Sequence, residues 1–198
     1  MFDKSRRVAA LVAFLPAMAL VQGCVLFAAG AGGGAAYTAA QERSMGNAVD
    51  DTTITTKINA QLVQAGLFRH VSVDAVEGRV LLTGVVNSPA EKEQAMQIAR
   101  GVTGVKEVLN DLQVGGGGFT RSASDAWMTS KLRAQLIADR EVSSINYNLN
   151  TVNGVIYIFG IAQNQQELER VLNHARSVSG AKDVVSHVEV KDTTRGTA

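Results

Sequence analysis

Cysteine and tryptophan each occur once in the 198 residues, proline occurs twice, and aromatic side chains make up only 5%. The lone thiol, Cys24, leaves no internal disulfide to staple a fold. Charge of one sign is lacking too. The formal net charge is +1, and Lys and Arg are scattered among Asp and Glu. That offers neither the basic stripe of a nucleic-acid binder nor an acidic tail. Signatures of catalysis are also missing. His70, His174 and His187 are far apart without metal-ligand spacing, and no GxSxG elbow or HExxH pair occurs. The acids Asp50–Asp51 and Glu167/Glu169 fit helix starts rather than an acid–base pair. The expectation is a non-enzymatic chain with no cofactor, no metal and no nucleic-acid partner. Its length suits one or two small domains.

The N-terminus, "MFDKSRRVAALVAFLPAMALVQGC", has a basic start, an apolar stretch and small residues before Cys24. That is the layout of a bacterial export signal over residues 1–23. Its ending, "LVQGC", resembles a lipobox, in which the cysteine is acylated and becomes the new N-terminus. The alternative is an uncleaved membrane anchor, but Pro16 and Gln22–Gly23 interrupt the apolar run such a helix needs. Val25 follows the cysteine. By resemblance to bacterial lipoproteins, this implies an outer-membrane address facing the periplasm. Residues 24–49 are rich in Gly and Ala and read as a flexible tether. "GAGGGA" within them lacks the strand before and the Gly-Lys-Ser/Thr after that a phosphate loop requires.

An internal repeat organises the rest. "DDTTITTKINAQL" matches "SDAWMTSKLRAQL", "VEGRVLLTG" matches "VNGVIYIFG", and "EKEQAMQIARGVTGVKEV" matches "ELERVLNHARSVSGAKDV". Each copy reads as α-β-β-α-β. The first helix is expected to start at an N-capping Asp51 or Asp125 and to bury Ile54, Ile58 and Leu62, or Met128, Leu132 and Leu136. A hairpin follows, turned at Glu77–Gly78 or at Asn153–Gly154, the latter a strong type I′ signal. Alternation along its arms gives one face to the core. A second helix spans about Ala90–Val102 or Gln166–Val178, and the last strand is "VKEVLNDLQV" or "AKDVVSHVEV". The fold class is therefore α+β: residues 50–114 and 124–190 each form a small mixed sheet packed against two helices. A Gly-rich linker, 115–123, joins them, and 191–198 is a tail.

The helix holding the only tryptophan has apolar residues to spare. Opposite its core stripe lie Trp127, Ser130, Ala134, Ile137 and Ala138, with Lys131 and Arg133 toward the edges. The matching positions of the first copy are Thr53, Thr56, Ala60, Val63 and Gln64, so the scaffold does not require a tryptophan there. Three uses compete: packing on the linker or neighbouring domain, a protein partner, and contact with a membrane. For the last, an aromatic N–H suits the headgroup boundary and flanking cations suit lipid phosphates.

Both copies resemble the BON domain, a bacterial envelope module, and with the lipobox the chain resembles the dual-BON outer-membrane lipoproteins. The carrying motifs are "RSMGNAVDD" and "SDAWMTSKLRAQL". The resemblance implies binding of anionic phospholipid, phosphatidylglycerol above all, by the first helix of the second copy, and support of envelope integrity and division sites. It carries the phospholipid site onto Trp127, Lys131, Leu132, Arg133, Ala134 and Ile137, with Cys24 lipidated. Leu132 also belongs to the core stripe, and the linker "GGGGFT" departs from the family's. The alternative is an adaptor for an outer-membrane assembly machine or a cell-wall hydrolase regulator.

Overall fold

The computed structural model describes residues 45–115 and 122–191. The expected export signal, Cys24, most of the expected tether, residues 116–121 of the linker and residues from 192 on lie outside the described residues. The first copy runs α1 (Met45–Gln64), β1 (Val71–Val76), β2 (Arg79–Val86), α2 (Pro89–Arg100), β3 (Glu107–Asn110) and β4 (Gln113–Val114). The second runs α3 (Ala123–Ala138), a 3-10 turn (Ser144–Asn146), β5 (Tyr147–Val152), β6 (Val155–Ala162), α4 (Gln165–Arg176) and β7 (Asp183–Val190). Each is α+β, with a mixed sheet. β1 pairs antiparallel with β2, and β2 pairs parallel with β3 and β4; β5, β6 and β7 repeat the arrangement.

The hairpins turn in two residues, with Val76 opposite Arg79 and Val152 opposite Val155. Glu77 and Gly78 have φ of 53° and 81°, and Asn153 and Gly154 have 54° and 85°, the paired positive values of a type I′ turn. The second helices start earlier than expected because Ser88 and Asn164 cap them, accepting the Glu91 and Glu167 N–H groups at 3.2 and 2.9 Å. The last strand of the first copy is broken between Asn110 and Gln113, although Arg79–Glu107 and Val85–Gln113 keep one register. Asn110 explains the break: its amide donates to the Lys92 carbonyl while its oxygen accepts the Leu112 N–H. Ser186 stands there in β7, which is continuous.

Asp51 and Asp125 do not cap helices. α1 already begins at Met45, and α3 is capped by Ser122, whose Oγ accepts the Asp125 N–H at 3.0 Å. The two carboxylates, only 4% and 3% exposed, face inward instead. Asp51 accepts the Glu77 and Gly78 N–H groups, both at 2.8 Å. Asp125 accepts those of Asn153 and Gly154, at 3.1 and 2.8 Å. Each helix is thus tied to the tip of its own hairpin by a buried carboxylate that satisfies turn donors the ladder leaves unpaired.

The expectation of a single buried sheet face is incomplete. β2 and β6 are buried at seven of eight positions each, on both faces. One face packs under the helices of its own copy. The other packs against the second sheet, where Val76, Leu81 and Val85 meet Val152, Tyr157, Phe159 and Ile161. Polar side chains rim this seam. Asn150 donates to Thr83 Oγ1 at 2.5 Å, Asn153 to Gln113 Oε1 at 2.8 Å, and Gln113 to Tyr157 Oη at 3.1 Å. His187 meets Asp111 at 2.6 Å, and these two occupy the same position of the repeat. Arg79 pairs with Glu189 at 3.1 Å and stacks over Phe159.

Truncating Asp125 to Ala leaves two turn N–H groups without partners, that of Gly154 buried and that of Asn153 part-buried, which costs roughly 2–4 kcal/mol. Asp125→Asn keeps one acceptor and loses less. Urea unfolding followed by circular dichroism measures both, and an unshifted midpoint in Asp125→Ala would show that the tie carries no stability.

Candidate functional site

Asp125 sets the rotation of α3. Its carboxylate points in at the hairpin tip, and at about 100° per residue Trp127 then stands about 200° away, facing out. Met128, Leu132 and Leu136 return to the inward side and are 2%, 0% and 1% exposed. Trp127 is 52% exposed and Ile137 67%. Ser130, Ala134 and Ala138 are exposed between and beside them. Lys131 and Arg133, also exposed, project at about 240° and 80°, one on each edge of this face. The sequence-assigned residues therefore divide. Trp127, Lys131, Arg133, Ala134 and Ile137 share one outward surface. Leu132 is corrected: fully enclosed among Met128, Leu136, Ile156 and Ile158, it supports the helix from beneath and presents nothing to a ligand.

The first copy offers a comparison. Thr53, Thr56 and Ala60 are exposed on α1, and only Val63, at 58%, is a large apolar group on that face. The apolar relief of α3 comes from two side chains, Trp127 and Ile137, rather than from the fold.

The two edges of α3 differ. On the Arg133 side the first copy leans in. Asp74, on β1, lines a hollow of about 280 Å³ with Ser72, Ala126, Thr129, Ser130 and Asn150. Burial pushes the Asp74 carboxyl up to about 6, and the Arg133 guanidinium pulls it part of the way back. A negative charge from the first copy thus sits in the field of one of the two cations flanking Trp127. Sequence reasoning did not find Asp74, because its position depends on how the two sheets meet. The repeat does carry a hint: Asp74 aligns with Asn150, a change of charge at matched strand positions.

The histidines take structural roles. His174 Nε2 lies 2.9 Å from the Asp139 carboxylate, which this hydrogen bond holds below the usual carboxylate range. His187 pairs with Asp111 across the seam. Among the described residues no cluster of His, Cys, Asp and Glu is arranged to hold a metal ion. No described helix is long and apolar enough to cross a membrane.

Residues 50–116 and 124–192 match the BON domain. An uncharacterized protein in the gshII 5′ region of Anaplasma centrale is 41% identical over 72% of this chain and 96% of its own length. Outer membrane lipoprotein DolP of Haemophilus influenzae is 32% identical over 88% of this chain and 92% of its own. Osmotically-inducible protein Y of Escherichia coli is 34% identical over 74% of this chain and 76% of its own.

Because the Asp74 carboxyl is raised from 3.8 to about 6, the folded chain holds a proton in that window that the unfolded chain has released. Its contribution to stability therefore grows as pH falls through 6 and is complete only below about 4. Asp74→Asn, the residue the second copy carries, removes the burial penalty. It raises stability at neutral pH by on the order of 1 kcal/mol, a figure discounted for partial exposure. Thermal melts of both proteins across pH measure the gap, which closes toward about pH 4; a gap constant with pH would refute the assignment.

Proposed function

Since the chain belongs to the BON-domain family, as a tandem DolP-like pair, we propose that it is an outer-membrane lipoprotein that binds anionic phospholipid through α3. Cys24 carries the acyl anchor and the body faces the periplasm. Trp127 and Ile137 enter the headgroup boundary, Lys131 and Arg133 meet lipid phosphates, and Ala134 lets the helix lie close. The first copy is scaffold and partner surface, and the cellular role is support of envelope integrity, including at division sites. The name of the Haemophilus relative, an outer membrane lipoprotein, supports the address.

The observation that carries the reading is the exposure of Trp127 and Ile137 between two cations. Burying each apolar side chain yields roughly 1.5–3 kcal/mol before ordering terms. That is weak for a free protein. It suffices for one already held at the membrane, where the anchor raises the local concentration of the second contact. Indole also suits a boundary with hydrocarbon on one side and water on the other.

Trp127 is the only tryptophan, so its fluorescence reports this site alone. In full-length protein reconstituted into phosphatidylcholine vesicles, brominated phosphatidylglycerol quenches the emission. Ile137→Glu keeps the fluorophore and raises the lipid fraction needed for half-quenching about tenfold. Emission indifferent to brominated lipid refutes membrane contact and favours the adaptor reading.

A further inference from the structure

Lys182 has no place in the surface described so far, yet the repeat sets it beside Trp127. In the first copy, the ground between α1, the hairpin tip and the loop before β3 is a hollow of about 360 Å³. Its charged lining comes from Asp50, Asp51, Lys57, Glu77 and Lys106, with the Thr53 and Thr103 hydroxyls beside them. The second copy builds the same ground from the same backbone. The Lys106 N–H donates to the Gly78 carbonyl at 2.8 Å, and the Lys182 N–H to that of Gly154 at 2.8 Å. The Lys106 stem lies across Gly78, and the Lys182 stem across Gly154, where a Cβ would come within 3.1–3.2 Å of it. The glycines make room for the lysine stems in both copies.

The chemistry around those stems has changed between the copies. Lys57 and Lys106 recur as Lys131 and Lys182, and Thr103 recurs as Ser179. Asp50 becomes Ser124, Glu77 becomes Asn153, and Thr53 becomes Trp127. Both surface carboxylates are gone while both ammonium groups remain. The remaining acid, Asp125, is enclosed and held by turn N–H groups, as Asp51 is. Asn153 turns its amide to Gln113. Asp183, next to Lys182, is no difference between the copies, since Glu107 holds its place in the first. Lys131 and Lys182 are exposed, and neither enters an ion pair among the described residues. This is the edge of α3 away from Arg133, so the Asp74 carboxylate that faces Arg133 has no counterpart here.

Resting on the membrane reading of α3, we propose that Lys182 and Lys131 form a clamp for the phosphodiester of an anionic membrane lipid, closing on it as Trp127 enters the bilayer. The hollow of the first copy holds the same two lysines outnumbered by carboxylates. Two cations outside any ion pair, two serine hydroxyls and an apolar wedge together match a phosphate carried at a membrane surface. A free phosphate in water would have no use for the exposed indole. The electrostatic selectivity of the face then comes mainly from the lysine edge, because Asp74 already offsets Arg133.

The full chain in phosphatidylcholine vesicles, titrated with brominated phosphatidylglycerol and read by quenching of Trp127, tests this. Lys182→Gln raises the phosphatidylglycerol fraction for half-quenching about fivefold, the weight of one lysine at an anionic surface. Lys182→Arg stays near the parent, and Lys106→Gln, at the matched place in the first copy, changes nothing. A parent protein never quenched by phosphatidylglycerol refutes the membrane reading itself. A quenched parent with Lys182→Gln indistinguishable from it overturns the clamp alone. Equal loss in the Gln and Arg variants with a lowered urea midpoint assigns Lys182 to structure and also overturns it. Glycerol 3-phosphate added to pure phosphatidylcholine vesicles leaves the emission unchanged; a shift there would make the ligand a soluble anion and overturn the lipid assignment.

Discussion

Everything on the surface of α3 depends on a carboxylate that never reaches solvent. Asp125 accepts two N–H groups from the hairpin tip, and this fixes both the position and the rotation of the helix. An apolar stripe alone tolerates some rolling, because Met128, Leu132 and Leu136 could slide within a greasy surface. A carboxylate held by two directional hydrogen bonds does not roll. Two residues later, Trp127 has no inward option. Asp51 does the same for α1, and there the group turned outward is Thr53. One tie serves both copies, and the side chain two places on decides what the helix face becomes.

The second constraint is size. A unit of about 65 residues buries too little surface to be more than marginally stable, and here each sheet would also expose Leu81 and Val85, or Tyr157, Phe159 and Ile161. Stacking the sheets removes both problems, because it encloses the outer faces in a third core. The polar rim gives the seam a definite register where hydrophobic contact alone would slip. Asp111 and His187, the same repeat position in two forms, meet each other, as residues near a pseudo-twofold axis do. One result is that β1 borders the flank of α3, bringing Asp74 into the field of Arg133. The first copy thereby tunes a surface that belongs to the second.

Local chemistry made most of the architecture legible. The type I′ turns follow from Gly78 and Gly154, which adopt positive φ without strain, and the α+β class follows from helical and alternating periods in fixed order. The core stripes read correctly, and they decide against Leu132 as a surface residue: periodicity put it in the core, the family resemblance put it in the site, and 0% exposure leaves it the core role. Three things were not legible. Asp51 and Asp125 look like N-caps because a helix-start aspartate is most often one, and only the fold shows the hairpin tip beneath them. The outer faces of β2 and β6 carry leucine, tyrosine and phenylalanine, but sequence does not say what covers them. Asp74 and Lys182 lie outside α3 in sequence and join its edges only through tertiary packing. On the candidate surface, the residues within one helix were readable from its period, whereas those contributed by other elements were not.

The comparison of copies shows how such a surface arises without disturbing a fold. A large exposed aromatic normally endangers solubility, and a pair of lysines normally attracts acids to balance them. In the second copy three changes act together: Thr53 to Trp127, Asp50 to Ser124 and Glu77 to Asn153. None touches the core stripe, the aspartate tie or the glycines that seat the lysine stems. Each alone would be nearly neutral for stability, since all three positions lie at the surface. Their joint effect is on potential and wetting: the lysine edge becomes uncompensated beside an apolar projection. The opposite edge did not follow, because Asp74 remains in the field of Arg133. A face with one open cationic edge and one damped edge is directional, so a helix that meets a charged surface through it settles lysine edge first. That orientation follows from charge placement alone, and it is set by residues from three elements rather than by the helix that carries the tryptophan.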